Sequence, residues 1–155
     1  MNIDTALQAA METLPVVEPM LDPELAPYWD GARAGELMLS RCPVCEAVPW
    51  SPRAFCPEHP DAKVEWFRAS GGGTIHSWTR VHRGEGAFAG AAPYLLAYVE
   101  LDEGPRVLTT IVVTEGEEPS IGLRVNAVFD QRPSAGAVLR FVLTPERVPQ
   151  GQVGA

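Results

Sequence analysis

The chain has no run of about 18 consecutive apolar residues, the minimum for a helix that crosses a bilayer, so a transmembrane helix is excluded. It also lacks the basic start and following apolar stretch of a secretory signal. Asp4 and Glu12 stand there instead, which leads us to expect a cytoplasmic location. Basic residues are scarce: 12 Lys and Arg face 20 Asp and Glu, for a formal net charge of −8. A nucleic-acid backbone needs compensating cations, so DNA and RNA are not the expected partners. Cysteine is scarcer still. There are three, an odd number, all between positions 42 and 56. That argues against a disulfide framework and for a metal site.

Long helices are disfavoured by 15 prolines and 14 glycines, which favour short strands joined by turns. Ile3, Leu7, Met11 and Leu14 share one face at helical spacing, so residues 3–14 read as an amphipathic helix ended by Pro15. The helix packs on its own barrel or presents its stripe to a partner. Residues 15–22 (PVVEPMLD) read as an extended linker. A second helix over 23–34 is capped by Asp22, with Pro23 in its first turn and Leu25, Tyr28, Trp29 and Ala32 as its apolar face. Residues 37–41 form a short strand, and 42–60 read as proline-rich loop that can bury little surface. Strands are then expected at 64–68, 74–82, 93–101, 107–113, 124–129 and 137–143, with Gly71–Gly73 as the break before the barrel and Glu103-Gly104 as a turn. The last five match the spacing of an OB-type barrel. The expected class is mostly β: N-terminal helices, a zinc ribbon, then a five-stranded OB-type barrel. The expected divisions are 1–22 for helix and linker, 23–62 for helix and ribbon, 63–143 for the barrel, and 144–155 for a flexible tail.

Cys42-Pro-Val-Cys45 and Cys56-Pro-Glu-His59 are two tight-turn pairs. Two such turns supply four ligands in a tetrahedron, which zinc accepts without geometric preference of its own. A closed set of Cys42, Cys45, Cys56 and His59 leaves no open position for water, so the zinc is structural. It would order a segment that burial alone cannot hold. His76 and His82 are the alternatives to His59. A redox role for Cys42 and Cys45 is disfavoured because no helix follows them.

The chain resembles the acyl-CoA-associated zinc-ribbon/OB-fold family of bacteria and archaea, long catalogued as a domain of unknown function. The resemblance rests on Tyr28-Trp29-Asp30-Gly31, Gly35-Glu36-Leu37, R-C-P-V-C at 41–45, Trp50-Ser-Pro-Arg53 and the second cysteine turn. It continues through S-G-G-G-T-I-H-S-W-T at 70–79, A-P-Y at 92–94, V-E-L-D-E-G-P-R at 99–106 and I-G-L-R-V at 121–125. It covers residues 23–143 and implies a rubredoxin-like zinc ribbon after an N-terminal helix, followed by an OB barrel. It implies a non-catalytic accessory subunit of a hetero-oligomer with a thiolase-like enzyme subunit (acyltransferase, thiolase, or aldolase of steroid side-chain degradation) or a hotdog-fold hydratase. The resemblance further implies that the small protein supports that partner and helps hold or channel acyl-CoA. The family usually carries cysteine at the fourth zinc position, where this chain has His59.

For CoA or partner contact the candidates are Arg53, Trp78, Arg80, Phe88 and Tyr94. The arginines suit phosphates, and Phe88, in the small-residue loop 84–92, suits an anchor. No catalytic residue is expected. Ser77, His76 and Asp102 lack a nucleophile elbow, and neighbours on a strand point to opposite faces. The rival reading is a single-stranded nucleic-acid binder that stacks bases on Trp78, Tyr94 and Tyr98. The acidic balance opposes it.

Overall fold

The computed structural model describes residues 3–144. The expected tail, beyond Thr144, lies outside them. Two helices, α1 (Ile3–Glu12) and α2 (Ala26–Arg33), precede nine strands. A 3-10 turn at Pro23–Leu25 leads into α2, and the Asp22 carboxylate accepts the Glu24 amide at 2.9 Å. Tyr28 and Ala32 are buried, while Leu25 and Trp29 pack at the edge of the same core.

Strand β1 (Met38–Arg41) pairs antiparallel with β4 (Glu65–Arg68), and between them β2 (Phe55–Cys56) pairs with β3 (His59–Lys63). The expectation of loop throughout 42–60 is corrected here. Pro60 sits in β3, a strand paired only with β2, where a missing amide donor is tolerated.

The barrel is closed, in the order β5 (Gly72–Val81), β6 (Tyr94–Leu101), β7 (Arg106–Val112), β9 (Val138–Leu143) and β8 (Arg124–Asp130), with β8 returning to β5. All pairs are antiparallel except β7 with β9, which run parallel at Ile111↔Phe141 and Val112↔Val142. Closure removes the free edges of an open sheet. Ile75, Leu95, Val99, Val107, Val125 and Phe141 line the buried core. Phe141 is fully buried, a contribution of about 1.5–3 kcal/mol.

Two features of β5 depart from the sequence reading. Gly72 and Gly73 do not break the chain before the barrel but open β5: Gly72 faces Asn126 on β8, and Gly73 faces both Leu101 on β6 and Val125 on β8. A Cβ on Gly73 would lie 2.6 Å from Val99 Cγ1 and 2.8 Å from the Glu100 carbonyl oxygen, so close strand approach requires glycine. The register also shifts between Ile75 and Ser77. This bulge reverses side-chain parity, which explains why the alternation along β5 is imperfect.

Helix α1 lies on the chain's own barrel. Met11 and Leu14 are buried with Val112, flanked by Leu7, Ala10, Tyr94, Val128 and Val142. Beneath the end of α1 sits an ion cluster. Asp130, 1 % exposed, receives Arg132 Nη2 at 2.6 Å and Arg140 Nε at 3.1 Å. Arg132 Nη2 also donates to the Met11 and Leu14 carbonyls at 2.8 and 3.1 Å. Arg140 donates to the Pro15 carbonyl at 3.1 Å and to Thr110 Oγ1 at 2.8 Å. The two guanidiniums thus gather carbonyls of the last turn of α1 and of the segment just after it, at the negative end of the helix dipole; the Met11 carbonyl also accepts the Leu14 amide at 3.1 Å.

Candidate functional site

The first cysteine turn is fixed by its own backbone. The Cys42 amide donates to the Ala47 carbonyl at 3.1 Å and the Glu46 amide to the Cys42 carbonyl at 2.9 Å. Glu46 takes φ 58°, a left-handed conformation that a side chain resists. The second turn joins β2 to β3, with Cys56 opposite His59. Together they gather four ligand atoms, all within 4.8 Å of one another. Cys42 Sγ and Cys56 Sγ each lie 3.7 Å from His59 Nδ1, and Cys45 Sγ lies 3.8 Å from Cys56 Sγ. A tetrahedral zinc with Zn–S about 2.3 Å and Zn–N about 2.0 Å sets its ligand atoms roughly 3.5–3.8 Å apart. The donor set therefore fits that ion in both chemistry and size. Cys42 and Cys56 are buried, Cys45 is exposed, and His76 and His82 lie outside the cluster.

The Cys42 sulfur accepts from the backbone amides of Cys45 and Val44. These bonds and the neighbouring thiols outweigh burial and bring its pKa down to about 6. At Cys45 the Ala47 amide pulls the value down, but the sulfurs of Cys42 and Cys56, together with burial, push it up overall. Cys42 is thus the readier thiolate, the form that binds metal.

The five contact candidates do not form one site. Arg80 and Tyr94 line a cavity of about 210 Å³ beside α1. Phe88 packs on Tyr94 with ring centroids 5.1 Å apart. Trp78 instead packs against the barrel core opposite Ala97, and it borders a separate, shallow groove of about 210 Å³ whose other walls include Leu96, Tyr98 and Leu108. Arg53 is exposed and stands apart from both, its amide donating to Ser40 Oγ at 3.1 Å. Asp102 serves no triad: Arg124 holds its carboxylate at 2.6 and 2.8 Å and keeps it below the usual carboxylate range.

Sequence reasoning missed Leu108. It is 51 % exposed and lines both the Trp78 groove and a second groove of about 220 Å³ formed with Pro19, Tyr28, Trp29, Trp50 and Leu139. An apolar surface thus runs from the barrel wall to α2 and Trp50. Alternation on β7 would have placed Leu108 outside, since Val107 and Thr109 point inward.

Residues 29–58 match the family model described as "ChsH2, rubredoxin-like zinc ribbon domain", and residues 66–130 match "ChsH2, C-terminal OB-fold domain". A "DUF35 domain-containing scaffold protein" of Methanothermobacter thermautotrophicus is 38% identical over 91 residues, 58% of this chain and 68% of the relative. The chain belongs to the DUF35 family. Another relative is the "3-oxo-4,17-pregnadiene-20-carboxyl-CoA hydratase alpha subunit" of Mycobacterium tuberculosis, 27% identical over 125 residues. That match takes in 76% of this chain and only 37% of the longer subunit. Among solved structures, a chain of the "Ltp2-ChsH2(DUF35) aldolase" superposes with a TM-score of 0.68 at 24% identity, covering 81% of this chain and 98% of that one. This likeness shows the shared fold. The zinc-ribbon match and the Cys3His cluster of this DUF35 chain together support a structural zinc. No described helix is long and apolar enough to cross a membrane.

Proposed function

We propose that this DUF35 chain is a non-catalytic accessory subunit of an acyl-CoA-processing enzyme, held in shape by one zinc on Cys42, Cys45, Cys56 and His59. The partner is a thiolase-like acyltransferase, thiolase or aldolase, or a hotdog hydratase. The observation that carries the reading is family membership: relatives bear the names of a scaffold protein and of a CoA-ester hydratase subunit. The surface supports it. Tyr98 and Leu108 are 47 % and 51 % exposed on the β6–β7 wall, and two grooves meet at Leu108. Contiguous exposed apolar surface of this kind marks interaction sites, and aromatic anchors dominate binding energy at such sites. The acyl-CoA bond-making groups belong to the partner. Arg53, Trp78, Arg80, Phe88 and Tyr94 are this chain's contacts to CoA or to that partner.

Co-expression with a thiolase-like or hydratase subunit from the same source tests this. The two should elute as one complex, and Leu108→Asp should abolish co-elution while leaving the melting temperature of the isolated chain within a few degrees. Turnover of acyl-CoA by the purified chain alone would overturn the reading. So would independent elution of the chain from every such subunit.

A further inference from the structure

The cavity beside α1 has one lining feature that barrel packing does not explain. Arg80 on β5 stands opposite Leu95 on β6, Leu95 opposite Ile111 on β7, and Ile111 opposite Phe141 on β9. Cross-strand partners share a face, and Leu95, Ile111 and Phe141 are 4 %, 3 % and 0 % exposed. Arg80 therefore occupies the inward-facing row at the barrel's end, where the pattern calls for an apolar side chain. Departures from the local pattern are expected at functional or strained positions. Barrel mouths are also common ligand sites.

Around Arg80 most lining side chains are apolar, with Thr13 a polar one at the α1 side. Leu14 from the turn after α1, Leu95, Ile111 and Val113 line the cavity with Tyr94, and Arg80 is the single charged residue among its described lining residues. The guanidinium is already set for an anion. Its Nη2 meets Glu118 Oε1 at 3.1 Å and Oε2 at 3.0 Å, from a loop position where the Glu118 side chain is 71% exposed and Arg80 is 36% exposed. An exposed pair of this kind contributes little, so another anion displaces Glu118 at small cost. The volume of about 210 Å³ is below that of pockets for drug-sized ligands, about 300 Å³ and more, which limits the occupant to a short chain.

We infer that this cavity binds a short aliphatic chain carrying an anionic head, with the chain against Leu95 and Ile111 and the head on Arg80 in place of Glu118. Carboxylate and phosphate heads share the chemistry that a guanidinium recognises. The inference deepens the proposed contact role of Arg80 and Tyr94 and rests on it, while a titration of the isolated chain tests the cavity without the partner, so its failure is distinguishable from a failure to form the complex.

The test is a methyl-detected NMR titration of the full zinc-loaded chain with hexanoate, hexyl phosphate and hexanol. At least one of the two anions should give saturable shifts at Leu95, Ile111 and Val113. The tighter anion names the head, and hexanol should bind at least ten-fold more weakly. Arg80→Met, checked for folding by thermal melting, should remove the preference for the anion. Glu118→Gln should tighten anion binding several-fold, because the internal competitor is gone. A pair that only staples the loop gives the opposite result for Glu118→Gln, with unchanged or weaker binding, and that result would overturn the inference. So would hexanol binding as well as the anions, or the absence of saturable shifts at millimolar ligand. If Arg80→Met does not fold, the hexanol comparison and Glu118→Gln still decide.

Discussion

Replacing Asp130 by Asn removes the one negative charge between two guanidiniums that lie under α1. Asp130 is 1% exposed, and the Arg140 side chain is 4% exposed and bonded to Asp130, Thr110 and the Pro15 carbonyl. Arg132 holds the Met11 and Leu14 carbonyls with the same Nη2 that meets Asp130. Asn keeps the shape but turns an amide donor toward donors; it leaves buried Arg140 without its counter-charge and Arg132 with only the charge of Glu12. Removing one partner from a buried pair costs about 3–5 kcal/mol, a large share of the roughly 5–15 kcal/mol by which a domain is stable. At about 2–4 °C per kcal/mol for a chain of this length, the melting temperature should fall by about 6–20 °C. Urea denaturation in excess zinc gives the free energy, and amide exchange across α1 shows where it is lost. The exchange of α1 should rise more than that of β6, because α1 is tied to the barrel through these arginines.

The same cluster sets an acid limit. Burial pushes the Asp130 carboxyl up, but hydrogen bonds from the Arg132 side chain and amide, with the charges of Arg132 and Arg140, outweigh it and hold the carboxyl below its ordinary value. A folded value below the unfolded one, about 3.9, means that the unfolded chain binds the proton first. Stability from this group is complete above about pH 5 and is lost as pH falls through the folded value. Asp130→Asn should therefore lose less stability than the native chain between pH 5 and pH 3. A loss below about 1 kcal/mol at pH 7, with α1 exchange unchanged, would refute the account of the cluster, since breaking a buried pair costs several times that.

Two further outcomes follow from the ribbon and from β5. Cys56→Ser should release the zinc and disorder residues 36–62 while the barrel persists, because proline-rich turns cannot replace metal-ligand free energy of about 10 kcal/mol or more; elemental analysis and limited proteolysis check it. Gly73→Ala should destabilise by about 1–3 kcal/mol through forced backbone movement near Val99 and Glu100, read by thermal melting, and an unchanged melt would show that the strands have slack there.

The cysteine turns, the helix cap at Asp22 and most barrel strands were legible because their signals are local: ligand spacing, capping chemistry and period-two alternation. The gathering of Cys42, Cys45, Cys56 and His59 follows from two short turns and needs little tertiary information. What escaped depends on where distant segments land. Arg140 in a strand reads as a solvated side chain until α1 and Pro15 cover that wall, and Asp130 reads as a strand end until two arginines converge on it. The β2–β3 hairpin was hidden by Pro60, whose strand role depends on β3 having a single neighbour. Residue type and loop position say little about where the five contact candidates land, and the structure scatters them: Arg80, Phe88 and Tyr94 are neighbours at one end of the barrel, Trp78 packs on the core opposite Ala97, and Arg53 lies apart from both.

The most direct test of the accessory role is the acyl-CoA turnover of the partner enzyme as this chain is titrated into it, with zinc measured in the same samples. The account expects no turnover from the chain alone, and a rate that rises with added chain to a plateau at a fixed stoichiometry. Cys56→Ser protein should not produce that rise. A partner whose rate is indifferent to the chain, or a metal-free ribbon variant that raises it as well as the native chain does, would contradict the account.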